Sequence, residues 1–478
     1  MSAHSLDLWL DGKFAGKLRR GANDQVEFAY EIDYIKDRPT PLSVSMPTSI
    51  RAHGPRTVMP WLSNLLPDAE EVRDRWAAKF AERKTDPFTL LRHMGQDAPG
   101  SVQVVPEGIQ PSQAGVYTAI SRARIAKRVG EIIHDPNHWV DDNDEDQSRF
   151  SLGGNQGKFA LAKINGKWFE PNGRTPSTHI IKPGMSSTGG FSNTEAQAAE
   201  FITMRTAHAL HIPTAMVEIE EFDGLYTFVT QRYDRVEMPD ETITRVHQED
   251  FCQSLSLFPS RKYEVDGGPG MVDMAAVIDE HTSARWRHES KRTLASLFAF
   301  NLLTAGVDAH AKNHSLLLSG SSARLAPAYD LISAHGLWDA DRIKYKSSAA
   351  VAYGKERRYK NIGGRNIARA ADSMGVNRSE FRDILESMSI SLLQALENAT
   401  SELPPELVTD RIKRMPERIA EFASSLVSRI GTNDLNDTPP YNPHPTAYTG
   451  VGRQEVWIAG SYRNGSWQLG HYRTQPSR

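Results

Sequence analysis

The stretch Val307-Asp308-Ala309-His310-Ala311-Lys312-Asn313, followed by the apolar run His314 to Leu318 and then by Pro327-Ala328-Tyr329-Asp330, constrains this chain more than any other. An Asp and an Asn five residues apart, with a second Asp beyond a short hairpin, is the spacing of a phosphoryl-transfer site. Such a site needs one carboxylate to orient the attacking hydroxyl. It also needs a side-chain amide and a second carboxylate to hold the magnesium that bridges the phosphates. Asp308, Asn313 and Asp330 suit those posts in that order. The same residues also suit a plainer arrangement, in which Asp308 and Asn313 cap turns around a buried strand.

The rest of the chain leaves room for such a site. At 478 residues it is long enough for about two to four domains with substantial cores. A net charge of −3 gives no global pull toward nucleic acid, so any such contact must come from a local basic patch. Cys252 is the one cysteine, which rules out an intrachain disulfide and a cysteine-cluster metal site and suits a reducing compartment. Met1 to Leu10 lacks the charged and apolar segments of a secretory signal, and no apolar run reaches the roughly 18 residues of a membrane span. A cytoplasmic protein without membrane contact is expected.

Leu6 to Leu18 alternates apolar and polar residues around Asp11-Gly12, a hairpin signal, and strands are expected near Val26 to Tyr30 and Leu42 to Met46. Between Leu62 and Phe80 the period changes. Acids after Pro67 open a helix on which Val72, Trp76 and Phe80 share a face. A short helix at Pro87 to Met94 and a strand at Gly100 to Val105 complete a small α+β domain, with no evident catalytic set, over residues 1–110. Residues 111–145 read as a connection that ends in the acidic run Asp141 to Asp146.

Ser151-Leu152-Gly153-Gly154-Asn155-Gln156-Gly157-Lys158 is then a glycine-rich turn running into the strand Phe159 to Ile164. Glycines let backbone N–H groups approach phosphate oxygens, and they equally suit a plain hairpin. Ser177 to Lys182 is a strand ending in a lysine, followed by a helix from about Thr194 to Leu210 whose first turn holds Glu195. In a kinase-like sheet that lysine pairs the phosphates, and the following helix supplies it with a carboxylate. Glu195 is the candidate here, although the helix dipole alone also favours an acid at that place. Strands at Met216 to Glu220 and Leu225 to Thr230 flank Asp223-Gly224, and the exit segment Gln231-Arg232-Tyr233-Asp234-Arg235 has the position of a nucleotide-site hinge. Helices are expected at Glu249 to Leu257, Met271 to His281, Glu289 to Thr304, Arg378 to Ser401 and Pro405 to Ile430. Residues 341–369 hold nine Lys or Arg against two acids, a surface for DNA phosphates or an acidic partner, or simply a solvated face. From Asn433 a Pro-rich linker leads to aromatic strands around Asn464-Gly465.

Nine of these stretches, in order, resemble the HipA family of bacterial toxin serine/threonine kinases: NLLPDAEEVRDR, DPFTLLRHMGQDAPGSV, SLGGNQGKFAL, STHIIKP, QRYDR, HQEDFCQSL, KYEVDGGPG, DAHAKNHSLL and LAPAYDLIS. The resemblance implies an α+β, two-lobed kinase-like fold with an extra N-terminal domain. The sheet lobe would span residues 146–233 and the helical lobe 234–432, while 433–478 lies outside the family. It implies transfer of the γ-phosphate of ATP, with Mg2+, to a serine of a protein, an aminoacyl-tRNA synthetase being the expected target. A helix-turn-helix antitoxin and, through it, operator DNA are the implied partners. Asp308 would be the base, Asn313 and Asp330 would hold magnesium, and His310 would lie against the phosphates. Lys182 would pair them, while Gly153, Gly154, Asn155, Gln156, Gly157 and Lys158 close over them. Gln231, Tyr233 and Tyr329 complete the nucleotide pocket, and Ser151 matches a serine whose autophosphorylation displaces the loop. Gln231 departs from the family's usual Glu, so altered nucleotide affinity is expected. Two alternatives remain: a small-molecule phosphotransferase on the same scaffold, and a corepressor that uses residues 341–369 to help an antitoxin hold DNA.

Overall fold

The computed structural model describes residues 5–36, 39–111, 116–139, 150–172, 175–184, 191–240, 242–430 and 438–448, with strand segments at 454–458, 461–463, 466–468 and 471–474. The acidic run Asp141 to Asp146 lies outside the described residues, as do Asn464 and Gly465.

The N-terminal domain is a five-stranded antiparallel sheet, β1 (Ser5–Leu10), β2 (Lys13–Arg20), β3 (Val26–Tyr30), β4 (Ala52–His53) and β5 (Val102–Pro106), in the order β4-β3-β2-β1-β5. Asp11 and Gly12 both have positive φ, 51° and 71°, which is the primed turn that matches strand twist and sets the β1–β2 register. Alternation puts Leu6, Leu8, Leu10, Leu18, Val26 and Phe28 on one buried face. After α1 (Ile32–Ile35), three helices cover that face: α2 (Pro55–Ser63), α3 (Glu70–Lys79) and α4 (Pro87–Met94). Val72 and Trp76 are buried as their spacing demands, while Phe80 caps α3 and stacks on His93. Leu42 to Met46 is no strand. It is a turn with one isolated bridge, Ser43 to Met46, held by the Tyr30 hydroxyl, which accepts from Leu42 N and donates to the Met46 carbonyl.

A six-stranded sheet follows, in the order β10-β11-β9-β7-β8-β6. Its members are β6 (Tyr117–Ala119), β7 (Phe159–Ile164), β8 (Lys167–Pro171), β9 (His179–Lys182), β10 (Val217–Phe222) and β11 (Leu225–Gln231), with α5 (Arg122–His134) and α6 (Asn193–Ala209) on it. The stretch read as a connection therefore supplies an edge strand and a helix. Ile125, Val129 and Ile132 pack α5 into the core of the sheet. The hairpin β12 (Arg235–Glu237) and β13 (Ile243–Arg245) leads to β14 (His247–Asp250), which pairs with β15 (Ser315–Ser319), itself paired with β16 (Ser322–Leu325). The helix expected from Glu249 is thus only α7 (Phe251–Ser254). Asp250 ends the strand and caps the helix by accepting from Gln253 N.

The helical lobe is built from α8 (Met271–His281), α9 (Ala284–Leu303), α10 (Ala340–Lys346), α11 (Gly364–Met374), α12 (Arg378–Ser401), α13 (Asp410–Lys413) and α14 (Met415–Ser428), with the hairpin β17 (Ser348–Tyr353) and β18 (Glu356–Arg358) between α10 and α11. Its core is continuous with the inner face of α6. None of the described helices is long and apolar enough to cross a membrane. The Pro-rich stretch is extended, as its composition demands, but it lies on this lobe. Arg378 Nη1 donates to the Thr438 carbonyl at 2.8 Å and Tyr441 N to Asp372 at 2.9 Å. In the tail β19 (Thr446–Tyr448) and β20 (Gln454–Ile458) pair, as do β21 (Ser461–Arg463) and β22 (Ser466–Gln468), and β23 (His471–Thr474) joins β20.

One buried ionic cluster joins the N-terminal domain to the kinase-like lobes. Asp97 meets Arg235 at 3.0 Å, Arg245 at 3.3 Å and Arg232 at 3.5 Å, and accepts from the Ser177 hydroxyl. Burial opposes its charge most strongly, yet the three guanidinium groups hold it well below the usual carboxylate range. Removing one member of such a cluster strands the others without solvent. Asp97→Ala is expected to cost about 3–5 kcal/mol of stability, read by urea unfolding. A loss under about 1 kcal/mol, the worth of an exposed pair, would show the cluster to be dispensable.

Candidate active site

The hairpin of β15 and β16 folds the chain back so that Asp308 and Asp330 face one cleft of about 570 Å3 beneath the six-stranded sheet. Lys182, at the end of β9, reaches both lobes. Its ammonium lies 2.7 Å from Glu200 Oε1 on α6 and 2.6 Å from Asp330 Oδ1, with 8% of its side chain exposed. Burial penalises that charge most, but the two carboxylates outweigh it and keep the lysine protonated. Asp330 is held well below the usual carboxylate range, burial being overcome by Lys182 and Lys158. It sits at a φ of 58°, a left-handed conformation that Asp adopts more readily than most residues.

The helix partner of the lysine is Glu200, not Glu195. Glu195 completes a capping box, accepting from Ser192 N at 2.8 Å, and its other oxygen accepts from the Thr409 hydroxyl. Glu200 carries the signal that could have found it: a carboxylate inside the apolar run Ala-Gln-Ala-Ala-Glu-Phe-Ile-Thr-Met must be buried and needs a cation. Burial pushes it up to about 7 against the pull of Lys182.

Asp308 is oriented at both of its ends. The Tyr263 hydroxyl donates to Oδ1, and Asn313 Nδ2 donates to its backbone carbonyl at 2.8 Å. Burial raises the carboxyl to about 6, the Tyr263 bond acting against the rise. His310 packs edge-on against Tyr263 with its Nδ1 buried and unpartnered among the described residues, and burial brings it down to about 3, so the ring is neutral. The bond from Asn313 uses the amide nitrogen and leaves the lone pairs of the amide oxygen for a cation. Asn313 and Asp330 thus offer hard oxygen atoms that suit Mg2+, which is held by one or two protein groups plus water and phosphates. Among the described residues no group of three His, Cys, Asp or Glu side chains would hold a metal without such help.

The glycine-rich turn lies over the cleft, but two of its glycines answer to protein contacts rather than to phosphate. A Cβ on Gly153 would stand 2.8 Å from the Asn64 carbonyl, and one on Gly157 would stand 2.5 Å from Ile132 Cγ2. Gly154, at a φ of 102°, pairs with Pro67, and its carbonyl accepts from Asp68 N. Gln156 donates to the Pro183 carbonyl at 3.1 Å, and Asn155 lines the cleft. Lys158 is nine-tenths buried with no carboxylate partner among the described residues, and burial, with neighbouring Lys182, brings it down to about 8. A buried cation of that kind needs an anion. Ser151 is wholly buried, its hydroxyl donating to the Leu65 carbonyl.

At the hinge, the N–H groups of Gln231 and Arg232 are already bonded to the carbonyls of Met216 and Thr178. From this segment Gln231, Arg232, Tyr233 and Asp234 line the cleft, and Tyr233 lies 5.6 Å from Tyr329, whose hydroxyl donates to the Lys312 carbonyl. The N-terminal domain, read as having no catalytic set, contributes Asp68, bonded at 2.9 Å to Lys262 and 3.1 Å to Lys312.

For Asp308 to serve as the base its carboxyl has to be ionised, so with a folded value raised to about 6 the rate of phosphate transfer should fall as pH drops through 6. Tyr263→Phe removes a donor that favours the carboxylate, so the acid limb should move to higher pH. A pH–rate profile of phosphate transfer checks this, and an unmoved limb would mean that Tyr263 does not act on the base.

A model of the HipA-like C-terminal domain matches residues 150–396, and one of the HipA N-terminal domain matches residues 6–105. The chain is similar to the Y4mE protein of Sinorhizobium fredii, 32% identical over 70% of this chain and 78% of that one. It is likewise similar to the serine/threonine-protein kinase toxin HipA of Shewanella oneidensis, 28% identical over 84% and 90%. In fold it resembles HipA of Shewanella oneidensis MR-1 solved with HipB and operator DNA, with a TM-score of 0.76 and 24% identity over 91% of this chain and all of that one. Two domain models in order and a relative 32% identical over 339 aligned residues leave one conclusion: the chain belongs to the HipA family of bacterial toxin serine/threonine kinases.

Proposed function

We propose that this kinase transfers the γ-phosphate of ATP, with Mg2+, to a serine or threonine hydroxyl of a protein, and that it acts as the toxin of a toxin–antitoxin pair. The observation that carries this reading is the convergence of Lys182, Glu200, Asp330, Asp308 and Asn313 on one cleft roofed by a glycine-rich turn. Lys182 and Lys158 supply positive charge for the phosphates, and neutral His310 has a ring nitrogen to spare for them. Asn313 and Asp330 would hold magnesium, which when bound neutralises charge that develops on the transferred group. Asp308, held by Tyr263 and Asn313, orients the incoming hydroxyl and takes its proton. Tyr233 and Tyr329 provide the apolar faces for a base.

The finer reading follows the family. The expected target is an aminoacyl-tRNA synthetase, whose modification would stall translation. Ser151 is the proposed autophosphorylation site and off-switch: its hydroxyl must leave the Leu65 carbonyl to react, and a phosphate adding about −1.5 to −2 charge does not fit back into that buried place. A helix-turn-helix antitoxin and operator DNA are the proposed partners, as in the solved Shewanella complex. Lys344, Lys346, Lys355, Arg358, Lys360 and Arg365 are exposed, which gives the basic segment a surface for that assembly.

The protein incubated with labelled ATP, magnesium and a cell lysate should place phosphate on Ser151 and on one dominant protein. Asp308→Asn and Asp330→Asn should lower both by about 10²–10⁴-fold. Phosphate on a metabolite alone would favour a small-molecule phosphotransferase. A toxic or repressive effect that survives Asp308→Asn would favour the corepressor.

A further inference from the structure

Beyond the catalytic set, the molecule holds a second ionic device whose use lies in where its two arms end. Asp68 belongs to the N-terminal domain, in the turn between α2 and α3, yet its carboxylate is 13% exposed and faces the catalytic lobe. One oxygen meets Lys312 Nζ at 3.1 Å, and that ammonium also donates to Asn64 Oδ1 at 3.0 Å. Lys312 stands next to Asn313, whose amide holds the Asp308 carbonyl, and its own carbonyl accepts from Tyr329, which precedes Asp330. The other oxygen meets Lys262 Nζ at 2.9 Å. Lys262 precedes Tyr263, the residue that holds Asp308 Oδ1, and the Lys262 carbonyl accepts from Ala311 N. Two chain segments about fifty residues apart in sequence are thus tied to one carboxylate, and both end on Asp308.

A structural salt bridge between domains needs only one such contact, and the Asp97 cluster already supplies a stronger junction. Two charged side chains drawn to one oxygen pair do something further. They fix the spacing between the Tyr263 segment and the catalytic loop, and they keep both ammonium groups away from the Asp308 carboxylate. Unrestrained, a lysine one residue from Tyr263 would compete with the tyrosine for that carboxylate and occupy the place of the incoming hydroxyl.

We propose that Asp68 is a positioning residue for phosphoryl transfer: by holding Lys262 and Lys312, the N-terminal domain sets the orientation of Asp308 through Tyr263 and Asn313. This rests on the reading of Asp308 as the base. The N-terminal domain is then part of the catalytic apparatus, and without it the kinase-like lobes would keep Lys182, Glu200 and Asp330 but leave the base poorly aimed.

The test compares the full-length protein with Asp68→Asn and Asp68→Glu, measuring the initial rate of phosphate incorporation against ATP concentration, together with thermal unfolding. Asp68→Asn should lower kcat by about 10–100-fold, the effect of misplacing a reacting group by about an ångström. The KM for ATP should stay within about threefold, because Lys182 pairs with Asp330 and Glu200, and none of the three bonds to this carboxylate. Asp68→Glu, which keeps the charge, should recover part of the loss. A kcat within twofold of the unsubstituted protein, or a loss seen only in KM, would overturn the proposal. If Asp68→Asn does not fold, Lys262→Met breaks the Tyr263 arm alone. It should lower kcat with KM preserved, and an unchanged kcat there overturns the proposal equally. Absence of transfer by the unsubstituted protein is a different result, since it removes the kinase reading itself.

Discussion

A single buried ammonium holds the catalytic centre together. Lys182 ends a strand of the sheet lobe, Glu200 belongs to the helix packed on that sheet, and Asp330 follows the hairpin of the helical lobe. A lysine with one partner would pay for its burial and return little. With two carboxylates within 2.7 Å it stays charged, and three elements distant in the chain share one position. Phosphates arriving in the cleft would exchange one set of negative oxygens for another around the same cation. The two carboxylates thus keep the lysine from being a bare buried charge, and Asp330 is one of the residues that would hold a metal ion accompanying the phosphates.

The N-terminal domain enters this centre from outside the kinase-like lobes. Its segment Asn64 to Asp68 meets the glycine-rich turn through the Leu65 carbonyl and Asp68 N–H, and the catalytic loop through Asn64 and Asp68 side chains. Farther along, Asp97 locks the same domain to the hinge arginines. Both junctions reach residues that line the cleft, Asn64 and Asp68 at one and Arg232 at the other, so the domain is anchored to the cleft at two places. Protein contacts alone already require glycine at Gly153 and Gly157, which line the cleft: the turn is pressed against Asn64 on one side and Ile132 on the other.

Local chemistry was legible in the residues where near neighbours settle it. The Asp11-Gly12 hairpin, the Pro87–Met94 and Arg378–Ser401 helices, and the hairpin that carries Asp308, Asn313 and Asp330 depend on turns and periodicity within a short window. Partner choice across the fold was not legible in the same way. Glu195 and Glu200 lie on one helix, and only the packing of α6 on the sheet decides which meets Lys182. Asp68 reads as an ordinary helix-start acid until the domain docks, and Tyr263 as an ordinary aromatic until Asp308 is placed beside it. The strand at Tyr117–Ala119 is three residues in a Pro- and Gly-rich neighbourhood, too short for alternation to register, and its place comes from pairing with β8. Glu249 and Asp250, the end of the strand His247–Asp250, fall inside the helix expected at Glu249 to Leu257, because the strand's partner, Ser315–Ser319, lies far along the chain.

If these groups form one magnesium–nucleotide site, calorimetric titration with a non-hydrolysable ATP analogue has a definite outcome. One analogue should bind per chain, more tightly with Mg2+ than without, and Asp330→Asn should abolish the metal's contribution while binding of the analogue alone persists. Binding that ignores both Mg2+ and Asp330, or no binding at all, would contradict the account.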